Sequence, residues 1–137
     1  MSALADPKIQ RFLDTKEIVV LATTNADGAP LAMAMWFLHD PAALTMISVA
    51  NLQKVRNLRR DPRVSVVAEA GGAGKPICGV AVEGRAEFLA DGPERRALVE
   101  RFHRKYAELK GYWGGHDMPA DRVMFRIVPA RVRDWGL

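Results

Sequence analysis

Lys54, Arg56, Arg59, Arg60 and Arg63 place five cations in ten consecutive positions, with Asp61 as the only acid among them. Apolar runs of strand character flank this stretch on both sides, and the chemistry it offers is anion binding. Leu52, Val55 and Leu58 recur at helical spacing, so a short helix can pack one face down while its cations point away. Pro62 pushes Asp61 out of the α region and marks the helix end. Lys54 falls in the first turn, where free backbone N–H groups and the positive end of the helix dipole favour a phosphate. Ser48 closes the preceding strand, with a hydroxyl able to reach the same anion. Arg59 and Arg60 fall in the last turn, where cations complement the dipole without any ligand. The spacing makes Lys54 and Arg56 candidates for ligand contact and leaves the anion open.

Other chemistries find less support. Cys78, the only cysteine, sits beside Gly79 in a strand with no histidine or asparagine near it in sequence, and reads as a small buried hydrophobe. It allows no internal disulfide. His39, His103 and His116 lack metal-ligand spacing, so no metal is expected. Neither a Ser-His-Asp triad nor a carboxylate pair can be assembled from these spacings, and the catalytic residues stay unassigned. The glycine-rich stretch 71–76 lacks the spacing, the Ser/Thr after its lysine and the following helix of a phosphate loop; it reads as a hairpin connection.

The 137 residues are expected to form one domain. A net charge of +4 admits nucleic acid, an anionic membrane surface or a phosphorylated small molecule. The arginines beyond the central stretch are dispersed, which argues against a duplex-binding face. No apolar run approaches the ~18–20 residues that span a bilayer. The N-terminus lacks the pattern of a secretory signal, so neither a nucleic-acid nor a membrane partner is expected, and the location is expected to be cytoplasmic.

Asp6-Pro7 predicts a capped helix start, with Ile9, Phe12 and Leu13 as its apolar face. Strands are predicted over 18–24 and 31–38, joined by an Asn-Ala-Asp-Gly turn; the second is apolar at nearly every position, so both its faces should be covered. Further strands follow over 43–49, 63–70 and 77–89, the last alternating cleanly, with Gly84 predicting a bulge or a close backbone approach. Asp91 and Pro93 open the main helix, 111–119 reads as an irregular aromatic loop, and two strands broken at Pro129 end the chain. Six to seven strands with peripheral helices predict a mainly β fold, a β-barrel decorated by helices, and a homodimer to cover its apolar surface.

Four blocks then become more specific: 21–30 (Leu-Ala-Thr-Thr-Asn-Ala-Asp-Gly-Ala-Pro), 35–40 (Met-Trp-Phe-Leu-His-Asp), 54–64 (Lys-Val-Arg-Asn-Leu-Arg-Arg-Asp-Pro-Arg-Val) and 82–86 (Val-Glu-Gly-Arg-Ala). In order and spacing they resemble the pyridoxamine 5′-phosphate oxidase-like superfamily, in particular its flavin and deazaflavin oxidoreductase branch, over roughly residues 8–135. The resemblance implies a split β-barrel of the FMN-binding type, a homodimer with two cofactor sites at its interface, and FMN or coenzyme F420 as cofactor. It further implies that Lys54 binds the cofactor phosphate with Ser48 beside it. Met33, Met35 and Trp36 would lie along the ring edge, and Arg56 and Asn57 would brace the pocket. Pyridoxamine phosphate oxidase proper carries further C-terminal Arg and His residues on a longer chain, so vitamin B6 synthesis is not expected here. Some deazaflavin-binding relatives carry a cation just before the lysine, where this chain has Leu52 and Gln53.

The expected function is hydride transfer between coenzyme F420, or bound FMN, and a small conjugated acceptor such as a quinone or enone. The cofactor carries the chemistry while the protein binds and orients it. The alternative is a non-catalytic flavin- or haem-type carrier. Tyr112, Trp113, His116 and Trp135 are candidates for a substrate pocket or for dimer packing.

Overall fold

The computed structural model describes residues 3–115 and 117–137. In chain order it comprises a 3₁₀ turn (Ala3–Ala5), α1 (Pro7–Asp14), β1 (Ile18–Thr24), β2 (Pro30–Trp36), β3 (Leu38–His39), β4 (Leu44–Val49), α2 (Gln53–Arg60), β5 (Arg63–Gly72), β6 (Lys75–Leu89), α3 (Pro93–Lys105), α4 (Leu109–Trp113) and β7 (Arg122–Trp135). All seven strands join one antiparallel sheet in the order β2-β1-β5-β6-β7-β4-β3. That order puts β2 and β3 at opposite edges, yet Phe37 alone separates them in the chain. The sheet therefore has to curl until its two edges meet at Phe37. The result is the seven-stranded half-barrel, mainly β with a few helices, that the split-barrel expectation describes.

Local signals are realised where they were legible. The Asp6 carboxylate accepts the Lys8 amide at 3.0 Å, and Pro7 opens α1. Ile9 and Leu13 on that helix enter the core with Val19, Leu21, Phe37, Met46, Phe125 and Ile127. Gly28 takes a φ of 87° in the β1–β2 turn, the left-handed region that glycine enters without a Cβ penalty.

Gly84 answers to the predicted bulge: the β6–β7 register shifts between Glu83 and Gly84, and Gly84 pairs with Pro129. A Cβ at Gly84 would stand 2.2 Å from the Val128 carbonyl oxygen. The same bulge corrects the expected break at Pro129. The extra residue absorbs the missing proline N–H, and β7 runs unbroken from Arg122 to Trp135. Gly84→Ala is accordingly expected to lower unfolding stability by about 2–3 kcal/mol, the cost of forcing a side chain into filled space, measured as a shift of the urea midpoint.

Other expectations are corrected. The strand foreseen over 31–38 splits at Phe37, and β2 is not covered on both faces. As an edge strand it lacks a layer outside it, which leaves Ile18, Val20 and Trp36 of the β1–β2 ribbon between 38% and 50% exposed on one face. The loop foreseen over 111–119 begins as helix α4, because Leu109 and Trp113, one turn apart, pack on the cluster around Phe102 and Tyr106. Asp91 is not the cap of α3; Gly92 holds that position, and Asp91 faces Arg95 and Arg96 from the surface.

Helix α3 seals the β3 edge. Lys105 donates to the Phe37 carbonyl at 2.8 Å and Arg101 to the His39 carbonyl at 3.0 Å. Alternate carbonyls on a strand edge lie about 6.5 Å apart, and residues one helical turn apart are separated by about 6 Å, so the two spacings match. Tyr106 completes the junction. Its hydroxyl accepts the Phe37 amide at 2.9 Å, and it lies 2.6 Å from the Glu17 carbonyl and 3.1 Å from that of Phe37.

Burial pushes the Lys105 ammonium down to about 8 and the Tyr106 phenol up to about 12. A lysine whose folded value lies below its ordinary value binds fewer protons folded than unfolded across the interval between them. The stability of the wild type relative to Lys105→Met is therefore expected to rise between about pH 8 and its ordinary value near 10.5, read as the difference in urea midpoints at successive pH values.

Candidate functional site

Six elements converge on a cleft of about 290 Å³: the end of β2, the end of β4 with the start of α2, α3 with α4, and the first residue of β7. Its polar wall carries Ser48, Lys54 and Arg122; its apolar wall includes Trp36, Phe102, Leu109, Tyr112 and Trp113. Antiparallel pairing of β4 with β7 matches Ser48 to Val123 and Val49 to Arg122, which brings the Arg122 guanidinium to the strand end where α2 begins.

Lys54 is the unusual residue of this cleft. It sits in the first turn of α2 and is only 9% exposed, although lysine is rarely buried unless paired. Its ammonium donates to the Met35 thioether sulfur at 3.2 Å, a weak acceptor, and no carboxylate lies within ion-pair distance of it among the described residues. Burial alone pushes its pKa down. The helix start beside it has Leu52 at the cap position and no side-chain cap. A buried ammonium and an uncapped helix N-terminus thus share one end of the cleft, with the Ser48 hydroxyl, which donates to the Val49 carbonyl at 3.2 Å, in the same wall. An anion there would receive a charge-assisted hydrogen bond and the favourable end of the dipole.

The flat side of the cleft is aromatic. Trp36 stacks on Tyr106 with ring centroids 4.4 Å apart and an interplanar angle of 10°, and Phe102 lies against Tyr106 at 6.1 Å. Trp113 meets the His103 ring edge-on at 5.3 Å. A planar heteroaromatic group lying on this wall would find the offset-stacking geometry that such rings favour.

The sequence-derived site separates into two parts. Trp36, Ser48 and Lys54 line the cleft, and Met35 reaches it through its contact with Lys54. Met33, Arg56 and Asn57 do not line it. Met33 is 40% exposed on the edge strand. Arg56 lies on the surface, donating to the Asn51 carbonyl at 2.6 Å and to Gln53 Oε1 at 2.9 Å. Asn57 is fully buried and committed to the scaffold: its amide donates to Thr23 Oγ1 at 3.0 Å and Asn25 Oδ1 at 2.8 Å, while its oxygen accepts from Gln53 Nε2 at 2.8 Å. Tyr112 and Trp113 join the cleft, Trp135 lies away from it against Gly79, and His116 falls outside the described residues. Arg122, Phe102 and Leu109 were not foreseen as site residues, and only the strand pairing and the fold of α3 onto the sheet reveal them. Among the described residues, no three His, Cys, Asp or Glu side chains cluster as metal ligands.

Known proteins place this architecture. The conserved hypothetical protein Rv2991 of Mycobacterium tuberculosis is 33% identical, with a TM-score of 0.77 over 98% of this chain and 84% of that one. An FAD-binding protein from Mesorhizobium loti is 26% identical, with a TM-score of 0.74 over 96% of this chain and 90% of its own. HutZ, the heme storage protein of Vibrio cholerae, shares the fold at 17% identity, with a TM-score of 0.80 over 95% and 94% of the two chains. The sequence profile of pyridoxamine 5′-phosphate oxidase matches residues 5–136, nearly the whole chain. With its curled seven-stranded sheet and a profile match over nearly its whole length, the chain belongs to the pyridoxamine 5′-phosphate oxidase family.

Proposed function

We propose that this protein binds FMN or coenzyme F420 in the Lys54 cleft and serves as an oxidoreductase toward a small conjugated acceptor. The observation that carries the reading is the buried Lys54 ammonium, held against a thioether and facing an uncapped helix start. An uncompensated buried cation is costly, and an anionic group bound beside it offsets that cost. The flavin-type ring supplies the hydride chemistry when bound. Lys54 and the start of α2 hold its phosphate, Ser48 offers a hydroxyl beside them, and the Trp36–Tyr106 stack supports a planar ring. Arg122 lines the same wall with its guanidinium paired to Asp121, and an anionic ring or acceptor would compete with that carboxylate for it. The FAD-binding relative from Mesorhizobium loti supports a flavin-type ligand.

The reading extends to a homodimer with cofactor sites at its interface. Support comes from the exposed apolar face formed by Ile18, Val20 and Trp36, the last of which also lines the cleft. A second copy packed there would cover the face and complete the site.

Fluorescence titration of the purified protein with FMN and with coenzyme F420 tests the proposal, preceded by an absorption spectrum and mass analysis of whatever denaturation releases. Submicromolar affinity for one of them, with the bound ring reduced and then reoxidised by a quinone or enone, is the expected result. Affinity for neither by a folded protein overturns it. Tight binding without turnover against any acceptor supports the carrier reading instead.

A further inference from the structure

A second polar cavity, of about 360 Å³, opens where α1, β3 and α3 meet, lined by Asp14, Leu38, His39, Arg101, Arg104 and Lys105. Its charges do not balance. Arg101, Arg104 and Lys105 contribute three cations, and among the described residues none of them has a carboxylate within ion-pair distance. The one acid, Asp14, is committed to His39, its carboxylate 2.7 Å from His39 Nε2. Arg101 uses one donor on the His39 carbonyl and Lys105 one on the Phe37 carbonyl, the Lys105 ammonium also lying 3.7 Å from the Phe37 ring centroid; each has further N–H groups. Arg104 has an exposed side chain and makes no such edge bond among the hydrogen bonds described.

The hydrogen bonds around His39 add to the imbalance. Gln10 Nε2 donates to the Leu4 carbonyl at 2.7 Å and to the Asp40 carbonyl at 3.2 Å, which fixes the orientation of that amide. Its oxygen therefore faces His39 Nδ1, at 2.8 Å. With a carboxylate on Nε2 and an amide oxygen on Nδ1, both bonds are made at once only by a ring that carries both protons. Burial works against that form, as do Arg101 and Lys105 from α3, while Asp14 on α1 supports it. The cavity is thus lined by four potential cations and one carboxylate, Asp14, with Glu17 as a second acid acting on Lys105 from outside the lining.

We propose that this cavity is a second anion site, distinct from the Lys54 cleft, that binds a tetrahedral dianion: phosphate, sulfate or the phosphoryl group of a monoester. Two guanidinium forks and an ammonium match the oxygens of such a group, and the cavity leaves room for part of the molecule that carries it. A dianion there compensates the charge that burial opposes on His39, so binding and protonation of His39 support each other.

Sulfate is the suitable probe, since it stays a dianion through the range in which histidine titrates. Isothermal titration with sulfate at constant ionic strength is carried out on the wild type, Arg104→Gln and Lys54→Ala. Saturable binding is expected in the wild type and in Lys54→Ala, weakened roughly tenfold in Arg104→Gln by loss of a charge-assisted contact. In the Lys54→Ala background the His39 ring resonances should move on sulfate addition, and affinity should be higher at about pH 6 than at about pH 7, an interval in which histidine titrates while Lys105 stays mostly charged. Arg104 is on the surface, so its replacement leaves the fold intact. Absence of saturable binding overturns the proposal. So does binding that Lys54→Ala abolishes and Arg104→Gln leaves untouched, which would assign the sulfate to the cleft. Because the test runs without Lys54, its outcome is independent of the function proposed for the cleft.

Discussion

Lys54→Met should make the cofactor-free protein more stable and the cofactor bind far more weakly. The two effects have one cause. The wild-type ammonium is 9% exposed and donates to Met35 Sδ at 3.2 Å, an acceptor too weak to replace the water it has lost. Methionine of similar length fills the same space without a charge to desolvate. Replacing a buried, poorly compensated charge by an apolar side chain is worth about 1–2 kcal/mol, or several degrees in melting temperature for a domain of this size. Under the proposed function the same substitution would remove a charge-assisted bond to the cofactor phosphate, and affinity should fall roughly a hundredfold. Thermal unfolding of the cofactor-free variant and fluorescence titration with FMN and coenzyme F420 measure the two arms. A lower melting temperature would show that Lys54 supports the fold, and unchanged affinity would remove it from the site. Burial also pushes the Lys54 pKa down while a bound phosphate would push it up, so cofactor binding in alkaline buffer should take up a proton.

Lys54 was legible in the sequence as an anion-binding candidate, while much of its surroundings was not. A lysine in the first turn of a short helix, after a strand ending in serine, is a local pattern, and local patterns survive folding unchanged. The Asp6 cap, the Gly28 turn and the Gly84 bulge were legible for the same reason: each is dictated by backbone geometry within a few residues. Arg122 lies 68 positions beyond Lys54 and enters the cleft only because β4 pairs with β7. The closure at Phe37 was equally hidden. Nothing in an apolar run from Leu31 to Leu38 tells that one residue leaves one sheet edge and joins the other. Apolar composition also misled, since it does not distinguish a strand covered on both faces from an edge strand whose outer face is open. β2 is the second kind, and its exposed residues are the surface that a second copy would cover.

Asn57, one turn along the helix from Lys54, has its side chain bonded into the scaffold, and its substitution is the sharper test of the division between cleft and scaffold. The side chain is fully buried. Its amide spans from α2 to Thr23 and Asn25 at the end of β1, and Arg60 from the same helix donates to the Thr24 carbonyl. Together these bonds tie the helix that carries Lys54 to the strand beside it. Asn57→Ala would leave Asn25 Oδ1 and Gln53 Nε2 without these partners, and would open a small cavity. The buried Thr23 Oγ1 loses its donor as well, and with the packing loss the change should cost about 2–3 kcal/mol. Unfolding in urea should therefore begin at a much lower concentration than for the wild type. Cofactor affinity of the folded variant, measured well below its melting temperature, should fall far less than in Lys54→Met, because no Asn57 atom lines the cleft. Were Asn57 a cofactor ligand, the order would reverse, with affinity lost and stability kept. The pair of variants thus tests whether Lys54 binds at a cost to the fold while Asn57 holds the helix that carries it.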